Sequence, residues 1–218
     1  MNIELARQQM LKQQLRTWEV LDADVLAAFE GLPRERFTPP AYANLAYADA
    51  DIPLGHGQVM LRPSVAGRLI QALALETDHQ VLEIGAGSGF VTACLARLAG
   101  SVRSLEYHAD LATTAERNLC ECGITNAAVE HADATEFADA GQYDGVLVSA
   151  ALPEPAQELR FREALKVGGH LVLISGRGPV MEATAIHRVS ALEWTRTALF
   201  ETAVPALIDA AARPPFDF

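Results

Sequence analysis

Short apolar runs alternate with helical stretches through the middle of the chain. The runs that predict strands cover residues 80–84, 102–106, 127–130, 145–148 and 170–174, and helices fit around them at about 64–75, 89–99, 109–122 and 154–165. This alternation is typical of stacked βαβ units and predicts a mainly parallel sheet. Two further strand-like runs, 183–189 and 196–204, follow Gly178 without a strong helix between them. We therefore expect the sheet to end in an antiparallel pair.

Residues 1 to about 60 follow a different pattern. A loose helical stripe is formed by Ile3, Leu5, Met10, Leu11 and Leu15, and a second helix, capped by Asp22, carries Val25, Leu26 and Phe29 on one face. From Pro39 to Gly57 turn residues are frequent and periodicity is weak, which predicts an ordered loop packed over a neighbouring surface. These patterns predict an N-terminal helical extension and loop, residues 1–60, followed by one compact α/β unit, residues 61–218, with a stiff proline-rich tail at 213–218.

Charge and cysteine content argue against several classes of protein. With a formal net charge of −11 and no run of Lys or Arg, the chain would repel a phosphate backbone, so nucleic acid is not the expected partner. Its 3 cysteines form no CxxC pair, which predicts free thiols rather than disulfides or a zinc cluster, and no metal site is expected. The polar N-terminus and the lack of an apolar run of roughly 20 residues argue against a secretory signal and a membrane span. We therefore expect a soluble, cytoplasmic protein.

The candidate chemistry begins at the end of the strand predicted over 80–84. Glu83 lies in this strand, and the turn Gly85-Ala86-Gly87-Ser88-Gly89 leads from it into a helix. Glycine lets a ligand approach the backbone N–H groups closely and adopts φ angles that side chains disfavour. A dinucleotide fingerprint would need its third glycine at position 90, which is Phe90. The spacing therefore favours S-adenosylmethionine, with S-adenosylhomocysteine as its product, over NAD(P).

Polar side chains follow the next predicted strands in order. Glu106 ends the second strand, where its carboxylate can accept hydrogen bonds from both ribose hydroxyls. Asp133 follows the third strand, within reach of an adenine amine, and Ser149 ends the fourth beside the sulfonium and amino-acid part of the cofactor. The predicted cofactor set also includes the adjoining residues Tyr107 and Ala134. Each feature has a plainer alternative, since Glu106 fits a solvated strand end and Asp133 a helix cap, but their order along successive strands favours one site.

Five blocks of the sequence together resemble one known family. They cover residues 33–37, 46–49, 53–58, 81–90 and 143–151, and their order is that of the protein-L-isoaspartate O-methyltransferases. The block around Gly55-His56-Gly57-Gln58 is the specific one, because many methyltransferases share glycine turns like that at Gly85. The resemblance implies a Rossmann-like class I S-adenosylmethionine-dependent methyltransferase fold. It also implies that the substrate is a carboxylate of isomerised aspartyl residues in damaged proteins or peptides.

The chain departs from this family directly after Gln58. The family continues with Thr-Ile-Ser, whose Ser is regarded as an active-site residue, whereas this chain has Val59-Met60-Leu61. Both hydroxyls are lost, and no catalytic residue is assigned because Leu61 stands at the Ser position. The resemblance makes His56, Gln58, Val59, Met60, Leu61 and Arg62 the candidate substrate-binding residues. The closing segment 204–209 is also altered relative to the family.

Three hypotheses for the function remain open. An aspartyl carboxyl titrates near pH 3.9, roughly, so the acceptor is already ionised and alignment with the methyl group is the main requirement. The first hypothesis is methylation of isoaspartyl carboxylates. The second, suggested by Val59-Met60-Leu61, is a methyltransferase of the same fold for a different, less charged acceptor. The third is a protein that binds S-adenosylmethionine or S-adenosylhomocysteine without catalysis.

Overall fold

The computed structural model of the chain describes residues 2–208 and contains two sheets. A hairpin is formed by β1 (Ile52–Gly55) and β2 (Gln58–Met60). The large sheet contains β3 (Gln80–Ile84), β4 (Ser101–Glu106), β5 (Ala127–His131), β6 (Tyr143–Leu152), β7 (Leu165–Ser175), β8 (Met181–Arg188) and β9 (Trp194–Thr202). Their order across the sheet is β5-β4-β3-β6-β7-β8-β9. Strands β3 to β7 pair in parallel, whereas β8 and β9 are antiparallel, so the predicted terminal pair is confirmed.

Helices cover both faces of the large sheet. They are α1 (Ile3–Gln9), α2 (Ala23–Gly31), α3 (Pro63–Gln71), α4 (Phe90–Leu98), α5 (Ala109–Glu121) and α6 (Glu158–Glu163). Successive residues of β6 alternate between two apolar clusters, with Leu147 in one and Val146 and Val148 in the other. This period of two shows that both faces of the strand are buried, as parallel sheets require.

The predicted strands and helices of the α/β part are present, with differences at their ends. Strands β6 and β7 are longer than predicted, because their pairing with neighbours continues beyond the apolar runs. The helix predicted over 154–165 is shorter: a 3-10 turn at Pro155–Gln157 precedes α6. Pro155 stands at the start of that turn, where its missing N–H costs nothing.

Only the second half of the N-terminal apolar stripe is buried. The predicted helix is present, but Ile3 and Leu5 are 42% and 56% exposed and α1 buries none of its residues. Burial begins in the π-helical turn Met10–Leu15 that continues α1. The second helix is confirmed, because the Asp22 carboxylate accepts hydrogen bonds from the backbone N–H groups of Asp24 and Val25 at its first turn.

The loop predicted from Pro39 to Gly57 contains regular structure. A 3-10 helix covers Pro40–Leu45, and β1 and β2 pair around the turn at His56. The sequence pattern did not predict these elements, because strands of only four and three residues are too short to show a period of two. This hairpin packs against the large sheet, since Ile52, Met60 and Leu61 belong to the same core as Val81 and Leu147.

Residues of the N-terminal part and of the large sheet thus share one core, while the division of the chain near residue 60 stays a prediction. The three cysteines Cys94, Cys120 and Cys122 are free, as predicted. Within residues 2–208, every helix is too short or too polar to cross a membrane. The predicted tail, 213–218, lies outside the described residues.

Candidate functional site

A cleft lies at the carboxyl ends of β3 and β6. These two strands are neighbours, and the chain proceeds from them to opposite sides of the sheet, which is where open α/β sheets bind ligands. The turn after β3, residues 85–88, faces residues 58–61 of the hairpin across the cleft, with Glu106 and Ser149 also in the wall. All the empty space in the cleft, open solvent included, amounts to about 570 Å³.

The glycine turn has the backbone geometry that the sequence predicts. Gly85, Gly87 and Gly89 have φ angles of +93°, +55° and +86°, a region that residues with side chains rarely adopt. At Gly85 an added Cβ would meet only the Ser149 Cβ, at 3.8 Å, so the space above this residue is open to a ligand. At Gly89 the same atom would lie 3.2 Å from Ala115, so this glycine allows the turn to pack against α5.

Glu106 lies at the centre of the polar wall. Its side chain is 5% exposed, and one carboxylate oxygen accepts a hydrogen bond from Gly87 N at 2.9 Å. The other oxygen accepts from His108 N at 2.9 Å. A carboxylate has about four acceptor positions, so two remain for a ligand. Glu106 therefore both fixes the glycine turn and offers a charged acceptor to the cleft.

Glu83 is buried beneath the glycine turn rather than in the wall of the cleft. Its carboxylate accepts hydrogen bonds from Thr92 Oγ1 at 2.5 Å and Ser104 Oγ at 2.6 Å, which connects β3 to α4 and β4. The second oxygen is buried without a hydrogen-bond partner among the described residues. Burial raises the pKa of Glu83 to about 7, and the charge of Glu106 adds to the shift, while the two hydroxyls oppose it. Glu83 thus positions the elements that carry the cleft.

The cleft continues along the end of β4 toward Asp133. Tyr107 and Ala134 line this part, and Tyr107 also borders the open depression that contains Asp133. One oxygen of Asp133 accepts hydrogen bonds from Thr135 N at 2.8 Å and Thr135 Oγ1 at 2.6 Å. This is the turn-capping contact that the plainer alternative anticipates. The same residue lies beside the depression, so capping and ligand contact are compatible.

The hairpin wall is apolar apart from Gln58. Gln58, Val59, Met60 and Leu61 all line the cleft, and Leu61 is only 6% exposed. Arg62 is not among the lining residues: its guanidinium donates to Thr202 Oγ1 at 3.2 Å, and its backbone N–H to Asp51. Residues 58–61 thus lie in the wall of the cleft, whereas Arg62 does not, and their binding of substrate stays a prediction.

His56 lies at the exposed tip of the hairpin, outside the cleft wall. Its φ is +53°, and its Nε2 lies 3.0 Å from a carboxylate oxygen of Asp110 at the start of α5. Its ring stacks on that of His108, with centroids 4.0 Å apart and an angle of 10° between planes. His108 in turn borders the cleft. The hairpin tip is therefore fastened over one end of the cleft by contacts with α5.

The closing segment before residue 209 crosses the end of β6. Ala151 N donates to Pro205 O at 2.9 Å, and Leu207 N donates to Ala151 O at 2.8 Å. Pro205 borders the part of the cleft next to the hairpin, and Leu207 the part next to Tyr107. This segment thus covers the cleft from the side opposite the glycine turn.

Sequence reasoning did not assign several residues that line the cleft. Among them are Arg34, Phe90, Val91 and His108. Arg34 lies within the family block 33–37, which was the available signal, but nothing local places it beside residues so distant in the sequence. Phe90 drew attention only as the residue that breaks the dinucleotide fingerprint. In the structure the Arg34 guanidinium lies over its ring, 4.6 Å from the centroid.

Comparisons with solved structures define the class of the protein. A protein-L-isoaspartate O-methyltransferase of Plasmodium falciparum, described as putative and in complex with S-adenosyl-L-homocysteine, superposes with a TM-score of 0.78 at 19% identity, covering 95% of this chain and 99% of that chain. Another protein-L-isoaspartate O-methyltransferase gives a TM-score of 0.74 at 24% identity, covering 92% of this chain and 65% of that chain. The chain therefore has the class I S-adenosylmethionine-dependent methyltransferase fold, as the sequence predicts.

Sequence comparisons define the family. Residues 6–193 match the family model described as protein-L-isoaspartate(D-aspartate) O-methyltransferase. Protein-L-isoaspartate O-methyltransferase 1 of Rhodopseudomonas palustris (strain HaA2) is 39% identical over 171 residues, which cover 78% of this chain and 69% of that protein. The protein-L-isoaspartate O-methyltransferase of Aliivibrio salmonicida (strain LFI1238) is 37% identical over 172 residues, covering 78% and 82%. The chain belongs to the protein-L-isoaspartate(D-aspartate) O-methyltransferase family, and the predicted resemblance is confirmed.

Proposed function

We propose that this protein transfers a methyl group from S-adenosylmethionine to the free carboxylate of isoaspartyl residues in damaged proteins or peptides. The observation that carries the proposal is the placement of two family blocks on facing walls of one cleft. The glycine turn at Gly85 forms one wall, and Gln58 begins the other. The curated relatives in this family bear the corresponding enzyme name.

The residues of the sheet wall fit an S-adenosylmethionine molecule. Ser149 Oγ is buried without a hydrogen-bond partner among the described residues, and the space above Gly85 is open. These two features match a polar ligand that passes close to the backbone. We propose that the cofactor is held by Glu83, Gly85, Ala86, Gly87, Ser88, Gly89, Glu106, Tyr107, Asp133, Ala134 and Ser149. Within this set Glu106 would accept from ribose hydroxyls, Asp133 would accept from the adenine amine, and Glu83 and Gly89 act by positioning the turn.

The chemistry asks the protein for alignment rather than for proton transfer. When bound, S-adenosylmethionine supplies a methyl group on a positively charged sulfur. That methyl group would pass to a carboxylate oxygen of the acceptor, and the electron pair of the carbon–sulfur bond would remain on sulfur. The acceptor is ionised at neutral pH, so no general base is required. The hairpin wall and the closing segment restrict access to the cleft, and holding the reacting atoms in line contributes several kcal/mol, roughly.

The acceptor side is proposed to consist of His56, Gln58, Val59, Met60, Leu61 and Arg62, as the family resemblance implies. One observation favours the second hypothesis, a less charged acceptor. Val59, Met60 and Leu61 present apolar side chains to the cleft where the family has two hydroxyls, and burying a carboxylate without partners is costly. We also propose a cytoplasmic location, which the three free cysteines support.

A transfer assay with labelled S-adenosylmethionine tests the proposal. The acceptor is an isoaspartyl peptide, and the same peptide with a normal aspartyl residue is the control. We expect label in an alkali-labile methyl ester on the isoaspartyl peptide only. No transfer to either peptide, with S-adenosylhomocysteine still bound, would favour the less charged acceptor or the non-catalytic hypothesis. A screen of neutral acceptors would then separate these two.

A further inference from the structure

Arg34 is a buried cation that is held rigidly beside the cleft. Its side chain is 0% exposed, and its Nε donates to Ala46 O at 2.7 Å. Its Nη2 donates to Leu61 O at 2.6 Å, and its Cζ lies over the Phe90 ring, 4.6 Å from the centroid. These contacts fix the position of the guanidinium and connect the N-terminal part to the hairpin wall.

The contacts described above use Nε and Nη2 and leave the remaining nitrogen, Nη1, without a partner among the described residues. It is buried and has no hydrogen-bond partner among residues 2–208. Within the same residues Arg34 forms no ion pair with a carboxylate. Asp49 and Asp51, whose charges act on it, instead accept hydrogen bonds from Ser64 and from the Arg62 backbone. Burial lowers the pKa of Arg34 to about 10, which still leaves the group charged at neutral pH.

A buried donor on an unpaired cation is costly, so a ligand acceptor that reached Nη1 would offset that cost. Arg34 lines the cleft together with Val59, Met60 and Leu61, where the family's two hydroxyls are missing. A carboxylate in this apolar part of the cleft would gain a charge-assisted hydrogen bond from Nη1 and would neutralise the cation at the same time.

We propose that Arg34 is a specificity-determining residue of this site. Its Nη1 binds a ligand carboxylate at the hairpin end of the cleft. The inference rests on the proposed function, which supplies two ligands with such a group. One is the amino-acid carboxylate of S-adenosylmethionine or S-adenosylhomocysteine, and the other is the free carboxylate of the isoaspartyl acceptor.

Matched ligand pairs test the proposal and identify the source of the carboxylate. The first pair is S-adenosylhomocysteine and its decarboxylated analogue. The second is an isoaspartyl peptide and the same peptide with that carboxylate converted to a carboxamide, both titrated with S-adenosylhomocysteine saturating. Calorimetry on the full chain gives the affinity ratio within each pair for wild type, Arg34→Gln and Arg34→Lys. Arg68→Gln is the control, because Arg68 also lies over an aromatic ring, Phe200, and also donates to a backbone carbonyl, but away from the cleft.

We expect wild type to favour the carboxylate member of one pair, and Arg34→Gln to reduce that preference at least tenfold. Arg34→Lys should restore part of it, and Arg68→Gln should leave it unchanged. The pair whose affinity ratio changes in Arg34→Gln identifies the ligand whose carboxylate binds Arg34. Equal weakening of both members of each pair, or unchanged ratios, would show that Arg34 only braces the hairpin and would overturn the proposal.

Two measurements keep this inference separate from the proposed function. If wild type methylates no isoaspartyl peptide, the proposed function fails, while the S-adenosylhomocysteine pair still tests Arg34. If the Arg34 variants do not fold, a crystal structure of wild type with S-adenosylhomocysteine and the isoaspartyl peptide decides the matter. A ligand carboxylate within hydrogen-bond distance of Nη1 supports the proposal, and its absence there overturns it.

Discussion

The two walls of the cleft present different chemistry to a ligand. The sheet wall carries the Glu106 carboxylate, the Ser149 hydroxyl and the backbone of the glycine turn. The hairpin wall carries three apolar side chains, with Gln58 beside them and Arg34 buried among the lining residues. One wall is therefore suited to a polar nucleoside, and the other excludes water.

The two walls are also supported differently. The sheet wall is fixed by parallel strand pairing and by Glu83, which connects β3 to two neighbouring elements. The hairpin wall is held by side chains from outside its strands: Asp51 accepts from Arg62 N, and Arg34 donates to Leu61 O. These two supports contact the backbone and therefore persist when the side chains at 59–61 change, although Met60 and Leu61 also pack in the core shared with the sheet. An acceptor site can thus diverge while the cofactor site is retained.

The strongest test of this contrast is Glu106→Ala. The substitution removes a charged acceptor for the ribose and also frees the backbone of Gly87 and His108. Charge-assisted bonds contribute roughly 1.5–3 kcal/mol each, so we expect the dissociation constant for S-adenosylhomocysteine to rise about a hundredfold or more. Calorimetric titration measures it, with Glu163→Ala as control, because Glu163 is an exposed residue of α6. An unchanged constant in a folded variant would remove Glu106 from the site.

The pH dependence of stability tests the base of the sheet wall. The pKa of Glu83 is about 7 in the folded protein and 4.5 ordinarily, so the folded state binds this proton more tightly. The resulting stabilisation is complete below pH 4.5, falls as the pH rises, and is lost above about pH 7.

Across that window the contribution of Glu83 decreases by up to about 3 kcal/mol. Glu83→Gln keeps an acceptor for Thr92 and Ser104 but cannot ionise, so its stability relative to wild type should increase from pH 5 to pH 8. Urea unfolding at both pH values gives this difference. A constant difference would mean that Glu83 is ionised in the folded protein.

A smaller effect is expected at the adenine end. Asp133→Ala should weaken S-adenosylhomocysteine binding about tenfold, because one charged contact is at stake. Asp133→Asn is the matched variant, since it keeps an oxygen for Thr135 and loses only the charge. Its affinity should lie between those of wild type and Asp133→Ala. If both variants bind as wild type does, Asp133 serves only as the turn cap.

The smallest effect concerns the hairpin wall. Leu61→Ser returns a hydroxyl to the family's position, and one hydrogen bond of about 1 kcal/mol corresponds to a roughly fivefold faster transfer to an isoaspartyl peptide. Leu61→Ala opens the same space without the hydroxyl and is the control. Steady-state rates for the two variants are compared, so the packing loss cancels. Equal rates would show that a hydroxyl at this position does not orient the acceptor.

The sheet wall was predictable from sequence because its glycine turn and polar side chains lie at the carboxyl ends of strands that the apolar runs predict. Gly85 and Glu106 come directly after apolar runs, and parallel strands bring their carboxyl ends to one edge. The hairpin was not predictable from pattern, because its strands are short and its residues acquire meaning only through the family resemblance. Arg34 lies within the resembling block 33–37, but its place beside the cleft could not be predicted, since its partners Ala46, Leu61 and Phe90 are brought to it by tertiary folding alone.

The closing segment has a consequence for synthesis of the protein. Pro205 and Leu207 complete the cleft, yet they come after every strand of the sheet, whereas Arg34 on the opposite side comes before all of them. A chain emerging from the ribosome can pair β3 with β4 early but cannot enclose the cleft until residues 205–207 reach Ala151. The cleft is therefore completed last, once residues 205–207 have been synthesised.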